Sequence, residues 1–230
     1  MKVSFPNPKR LFSSAVTWSW MFNFLRLASG LIVLPLLVKQ LSGEELGMYF
    51  VFLSLTALVP IIDFGFNPAI GRFVTYAMAG AESLRPHGID AAPRSASGPN
   101  FTLLWALLRT TRQLYGGLAM LGFILGGLWG TYLVGIKVHE CPDPLHVWIA
   151  WGLTLTALTT ELYSSWWNTF LYNTGNVLRS SRISFAAHAL RIMLSILLLS
   201  VGAKLWSIPL AAIFGTLINR TFARRACLGV

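Results

Sequence analysis

Apolar positions in this chain gather into six long runs, at 14–38, 46–70, 114–136, 146–172, 185–203 and 205–219. The first five approach or exceed the ~20 residues that a helix needs to cross a bilayer, and the sixth is shorter. Sustained alternation of apolar and polar positions, the mark of a membrane β-strand, is absent. A helix in lipid satisfies its own backbone polar groups. The pattern therefore predicts an all-α integral membrane protein with six transmembrane helices, residues 1–230 forming a single membrane domain. Only Lys204 and its neighbours separate the last two runs, which predicts a tight helical hairpin. The first run is too long for the core of a cleaved signal peptide and lacks a small-residue cleavage site after it, so it reads as a retained helix.

Composition agrees: 55% of residues are hydrophobic and 11% charged, where soluble domains carry roughly a quarter charged residues. A formal net charge of +10 raises the question of nucleic acid, and the distribution answers it. With six spans and both ends inside, the inner segments hold Lys2, Lys9, Arg10, Arg72, Arg85, Arg94, Arg109, Arg112, Arg179, Arg182, Arg220, Arg224 and Arg225. The outer loops hold Lys39, Lys137 and Lys204, together with Glu44, Glu45, Glu140 and Asp143. This is the positive-inside bias of a multi-pass protein. The basic residues are explained by topology and anionic headgroups of membrane lipids, so no nucleic-acid partner is needed. Cys141 and Cys227 fall on opposite sides in this topology, which argues against a disulfide between them, and their spacing suits no metal.

The long polar segment 72–113 is then a cytoplasmic loop. Its centre, SLRPHGIDAAPRSASGPN, reads as a loop from its Pro, Gly and Ser content. Its end, FTLLWALLRTTRQ, puts Phe101, Leu104, Trp105 and Leu108 on one helical face. That stretch is either an amphipathic helix on the inner surface or a continuation of the third span.

Several polar residues interrupt the apolar runs. Arg26 lies twelve residues from either end of the first run, ~18 Å at 1.5 Å per residue. A central arginine costs about 2.5–3.5 kcal/mol on insertion scales, so something must compensate it. Ser19, Asn23, Arg26 and Gly30 share its helical face, which is expected to look inward. In the fourth run Thr154, Leu158, Glu161, Ser165 and Asn168 line one face; in the fifth, His188, Arg191 and Ser195 do. Arg191 is close enough to the inner boundary to snorkel. Asp63 sits in DFGFNPAIGR near the end of the second run. Two readings compete: Arg26–Glu161 and Arg191–Asp63 are ion pairs that fix packing, or the polar faces enclose a hydrated cavity. Asn67-Pro68 has the form of an N-cap and first-turn proline, Asp63 can satisfy backbone groups at a helix break, and His188 alone reads as a packed, neutral side chain. Gly122, Gly126 and Gly130 form a stripe that lets another helix approach.

The run LRLASGLIVLPLLVKQLSGEELGMYFVFLSLTALVPIIDFGFNPAIGRFV, with the later NTGNVLRSSRISFAAHALRIMLSILLLSVG, resembles polysaccharide flippases of the Wzx/RfbX (O-antigen) type. These belong to the MATE-like MOP superfamily. The resembling elements are a helix ending in LPLL, the turn LSGEELGMY, and a second helix closing on DFGFNPAIGRF. The resemblance implies one six-helix, N-in/C-in half of a flippase in the bacterial cytoplasmic (inner) membrane. It implies translocation of a polyprenyl-pyrophosphate-linked oligosaccharide in cell-surface polysaccharide or lipopolysaccharide biosynthesis. Under it, Arg26, with Arg191, meets the phosphates, and Asn23, Thr154 and Ser165 meet sugar hydroxyls. Glu161 and Asp63 act as counter-charges or carry a coupling proton. Family members have about twice as many helices, so the chain resembles an N-terminal half that a homodimer or a second-half partner completes. The alternatives are a truncated, non-transporting subunit of an envelope-glycan export complex, or another MOP-type small-molecule or drug exporter. No paired-aspartate, HExxH-like or Ser–His–Asp arrangement points to an enzyme, no cofactor or metal is called for, and Asn67-Pro68-Ala69 occurs once where an aquaporin needs it twice.

Overall fold

The computed structural model describes residues 14–81, 83–84 and 98–228. Lys2, Lys9, Arg10, Arg85, Arg94 and most of the SLRPHGIDAAPRSASGPN segment lie outside them. Helices α1 (Ala15–Gln40), α2 (Gly43–Thr56), α3 (Val59–Ile62), α4 (Phe66–Met78) and α5 (Phe101–Lys137) are followed by α6 (Pro144–Ser164), α7 (Trp166–Asn173), α8 (Val177–Ser200) and α9 (Ser207–Leu228). Short 3₁₀ turns, Val138–Glu140 and Lys204–Trp206, precede α6 and α9.

Among the described residues, four helical stretches are long and apolar enough to cross a membrane: Ala15–Gln40, Gly43–Met78, Phe101–Glu140 and Val177–Ser200. The chain is thus an all-α protein built for a membrane. Helices α6 and α9 have 21 and 22 residues, long enough to span, but are more polar. Threonines and Glu161 interrupt α6, and Arg220, Arg224 and Arg225 occupy the end of α9.

Helix ends depart from the hydropathy runs for local reasons. The second run breaks into α2, α3 and α4, because Pro60 starts a new turn and Phe64 and Gly65 take positive φ values of 49° and 74°. Glycine adopts that conformation without penalty and phenylalanine does not. Asn67 is not the N-cap of α4. Its own N–H donates to Asp63 Oδ2 at 3.3 Å, so Asp63 serves the helix start from across the break. The fourth run divides at Ser164–Ser165 into α6 and α7. Residues 101–113 form no separate surface helix: they continue without interruption into α5, with Asn100 capping the start through Leu103 N–H at 3.0 Å.

Helices α1, α8, α9, α6 and α5 pack side by side in that order, with α2 lying over α5 and α6 and α4 against α7 and α5. The glycine stripe of α5 receives α6. A Cβ on Gly122 would touch Leu162, one on Gly126 would touch Leu155, and one on Gly130 would fall inside the Trp151 indole. Two apolar cores result. One joins Leu37, Met48, Phe52, Val134, Trp151 and Leu199; the other joins Val74, Tyr115, Leu162, Trp166, Phe170 and Leu171. At the first core's end, Ser42 and Glu45 form a capping box, and the buried Glu45 carboxylate accepts from Lys204 Nζ at 3.2 Å. There too Trp206 stacks on His146, ring centroids 4.3 Å apart, and donates to its carbonyl. At the other end Thr75 Oγ1 donates to Asn173 Oδ1 at 3.3 Å, and Thr169 donates to Asn67.

Cys141 closes the first core and Cys227 packs against the second, both as free thiols. Burial, then the negative charges of Glu44, Glu45 and Glu140, hold the Cys141 thiol above its ordinary range, whereas burial alone raises Cys227. A raised pKa leaves less thiolate at a given pH, and thiolate is the reactive form. Cys141 should therefore resist iodoacetamide at pH 7 and react only as the pH climbs well above the usual thiol range. Added salt, which screens exposed carboxylates, should speed Cys141 and leave Cys227 unchanged. Rapid alkylation of both at pH 7 would contradict this environment.

Candidate functional site

Between the two cores α1, α2, α3, α6, α7, α8 and α9 enclose a cavity of about 870 Å³. Its position follows from the helix sequences. Along α6, Trp151 belongs to the first core and Leu162 to the second, and Thr154, Ala157, Leu158 and Glu161 between them line the cavity. Along α8, Ile192 and Leu199 are core residues while His188, Arg191 and Ser195 face the cavity.

Of the sequence candidates, Arg26, Arg191, Glu161, Thr154 and Ser165 all line this one space. Asn23 does not: it is exposed, and its amide donates to its own helix at Ser19 O, 3.0 Å away. Its neighbour Ser19 meets Ser181 of α8 at 2.9 Å, so the inward face of α1 turns toward α8 at that level. Asp63 is also elsewhere, its Oδ1 accepting from the buried Tyr115 hydroxyl at 2.5 Å. Among the described residues neither pair named in the packing reading, Arg26–Glu161 or Arg191–Asp63, is present. Glu161 Oε2 lies 3.9 Å from Arg191, and among the described residues Arg26 has no carboxylate within 4 Å. Half exposed at Glu161, the Arg191–Glu161 contact is loose and contributes about 1 kcal/mol or less. An incoming anion can displace it cheaply.

Arg220 is a site residue that sequence reading missed. Grouped by sequence with the cytoplasmic basic residues, it lines the cavity from α9 with its guanidinium 4.7 Å from the Tyr163 ring centroid. The available signal was the spacing of Ala212, Thr216 and Asn219, a small and polar face that also lines the cavity. Three guanidiniums against one carboxylate leave the lining with a surplus of two positive charges. Such a surplus of one sign in a cleft with apolar walls draws an anion to the lining.

Hydrogen-bond capacity is divided just as unevenly. Thr154, Ser165 and Ser195 donate their hydroxyl protons to their own helices, at Ala150, Leu162 and Arg191 carbonyls. Toward a ligand they can only accept. Ser164 Oγ, Asn168 Oδ1, His188 Nε2 and Asn219 Oδ1 are buried, belong to cavity-lining residues and have no protein partner. An unpaired buried polar group costs about 1–3 kcal/mol, so polar groups concentrated here mark a place that takes up hydrogen bonds from outside the chain. His188 also meets Phe22 edge-on at 5.8 Å. Among the described residues no three His, Cys, Asp or Glu side chains come together to hold a metal ion.

Comparison of the chain with protein-family models, curated proteins and solved structures finds no match.

Proposed function

We propose that the chain crosses the membrane six times, α1, α2 with α3 and α4, α5, α6 with α7, α8 and α9 each making one passage. In this reading both ends lie on the cytoplasmic face of a bacterial inner membrane. The chain moves a polyprenyl-pyrophosphate-linked oligosaccharide between leaflets during cell-surface polysaccharide synthesis. The observation that carries the reading is the surplus of arginine over carboxylate around one cavity inside an apolar bundle. A pyrophosphate cannot enter hydrocarbon without replacements for its water. Arg26 and Arg191 supply charge, Arg220 adds a third guanidinium near the α9 end, and the hydroxyl and amide oxygens nearby accept from sugar hydroxyls. Glu161 holds Arg191 while the site is empty and yields it to the phosphate. A second six-helix unit, from another copy or a partner chain, completes the pathway.

The test is transbilayer exchange in proteoliposomes. A short-chain polyprenyl-pyrophosphate saccharide with a fluorescent sugar end, first confined to the inner leaflet, should become open to an impermeant quencher faster than in protein-free vesicles. Exchange no faster than in empty vesicles overturns the flippase reading. If the saccharide nonetheless binds, a non-transporting subunit is the better account.

A further inference from the structure

Helices α1 and α2 are neighbours in sequence, joined only by Leu41 and Ser42, yet they part company within the bundle. The buried residues of α1 are Val33 and Leu37, close to that turn, where Met48 and Phe52 of α2 join the same core. Farther from the turn α1 leans on α8 instead, through Trp18 against Phe185 and Phe22 against His188. Between them a wedge opens whose inner edge is the cavity. Its walls are apolar: Leu31 on α1 is 80% exposed, and Phe50 and Leu53 on α2 are 45% and 48% exposed, although all three line the cavity. A Cβ built on Gly30 meets nothing within 4 Å, so the wedge is open at that level.

Resting on the lipid-linked reading above, we propose that this wedge holds the isoprenoid chain of the ligand, leading it from Arg26 and Arg191 out into the bilayer between α1 and α2. The apolar walls and the charged floor are continuous, which suits a molecule that is hydrocarbon at one end and strongly anionic at the other. Charge favours a pyrophosphate diester over a zwitterionic phospholipid: each of its two phosphorus atoms bears one ionised oxygen, and the cavity lining has three guanidiniums against one carboxylate. The wedge thus serves as a lateral door for one chain, and the head enters without leaving the membrane.

Photolabelling tests this in proteoliposomes of phosphatidylcholine. The probe is geranylgeranyl pyrophosphate carrying a diazirine in its chain, with labelled peptides mapped by mass spectrometry. Label is expected on Leu31, Phe50 and Leu53. Gly30→Trp, which fills the wedge, should remove it from Phe50 and Leu53. Leu53→Trp, from the opposite wall, should remove it from Leu31, so the result does not hang on one variant folding. Leu27→Trp, at a position 74% exposed and outside the cavity lining, should leave labelling unchanged. Label confined to other surfaces, or unaffected by both wedge variants, overturns the proposal. So does equal labelling of the same residues by a diazirine phosphatidylcholine. If the wedge is labelled as expected but excess inorganic pyrophosphate fails to compete, the door stands and the anion-binding reading of the arginines fails.

Discussion

Arg26→Ala is expected to abolish transbilayer exchange of the pyrophosphate-linked saccharide while the protein still inserts and folds. The two halves of that outcome have different causes. Among the described residues no carboxylate lies within 4 Å of Arg26, so its removal strands no partner. Removing a mid-bilayer arginine also relieves an insertion cost of about 2.5–3.5 kcal/mol. Under the proposed function, however, the ligand loses a guanidinium facing its phosphates. Losing a hydrogen bond to a charged group costs about 1.5–3 kcal/mol, on the order of tenfold to a hundredfold in affinity. Arg26→Lys should recover part of it, since a lysine keeps the charge and loses the planar fork. Arg191→Ala is the informative contrast: it removes the partner of Glu161 as well as a ligand contact, so stability and exchange should fall together. Exchange at the wild-type rate in Arg26→Ala, measured at equal protein per vesicle, would remove Arg26 from the site.

Gly130→Ala should be the most damaging single methyl group in the bundle. The added carbon would fall inside the indole of Trp151 and also 3.1 Å from Leu55. The indole has nowhere to go. Its Nε1 donates to Thr131 Oγ1 at 3.0 Å, and its ring lies against Phe52 with centroids 5.8 Å apart. Overpacking typically costs about 1–3 kcal/mol, and a ring held on two sides places this site at about 3 kcal/mol. The variant should melt well below wild type in detergent and elute broadly on size exclusion. Trp151→Leu should restore part of the loss when combined with Gly130→Ala, because the two residues share one volume and their effects cannot add. An unchanged melting temperature for the single variant would show that α5 and α6 are not in contact there. Gly116 is the comparison: a Cβ there meets nothing within 4 Å, and its alanine variant should be neutral or slightly stabilising through helix propensity.

What could be read from the chain divides along a physical line. Hydropathy reports the environment of a segment, so the helical membrane character and the approximate places of α1, α5 and α8 were legible. Helix ends were not, because hydrogen bonding continues past the apolar boundary wherever residues such as Leu, Ala and Arg allow it. That is why α9 runs on through Arg224, and why α5 begins at Phe101, the continuation of the third span that the sequence leaves open beside a separate surface helix. Breaks inside apolar runs are invisible to hydropathy and visible only in punctuation such as Pro60 and Gly65. Helical periodicity found the inward faces of α6 and α8, and Arg26 on α1, because 3.6-residue spacing is local. It could not choose partners. Whether Glu161 meets Arg26 or Arg191 depends on how α6 and α8 are rotated in the bundle, and Asp63 was claimed by a tyrosine from a helix fifty-two positions away. Arg220 was hidden for a related reason: near a helix end, an arginine bound for a cavity and one bound for headgroups look the same in sequence.

The clasp between Glu45 and Lys204 joins residues 159 positions apart. At about 5–20 residues per second of synthesis, the carboxylate exists for some 8–30 seconds before its lysine has been made. Through that interval the first turn between helices must wait at the aqueous border, its acidic group still wet, while the rest of the bundle is threaded in. The turn between α8 and α9 then brings the lysine that lets the turn between α1 and α2 settle into its dry position. A copy stalled short of Lys204 would keep Glu45 without its cation, so the dry seat of the α1–α2 turn depends on a residue made 159 positions later.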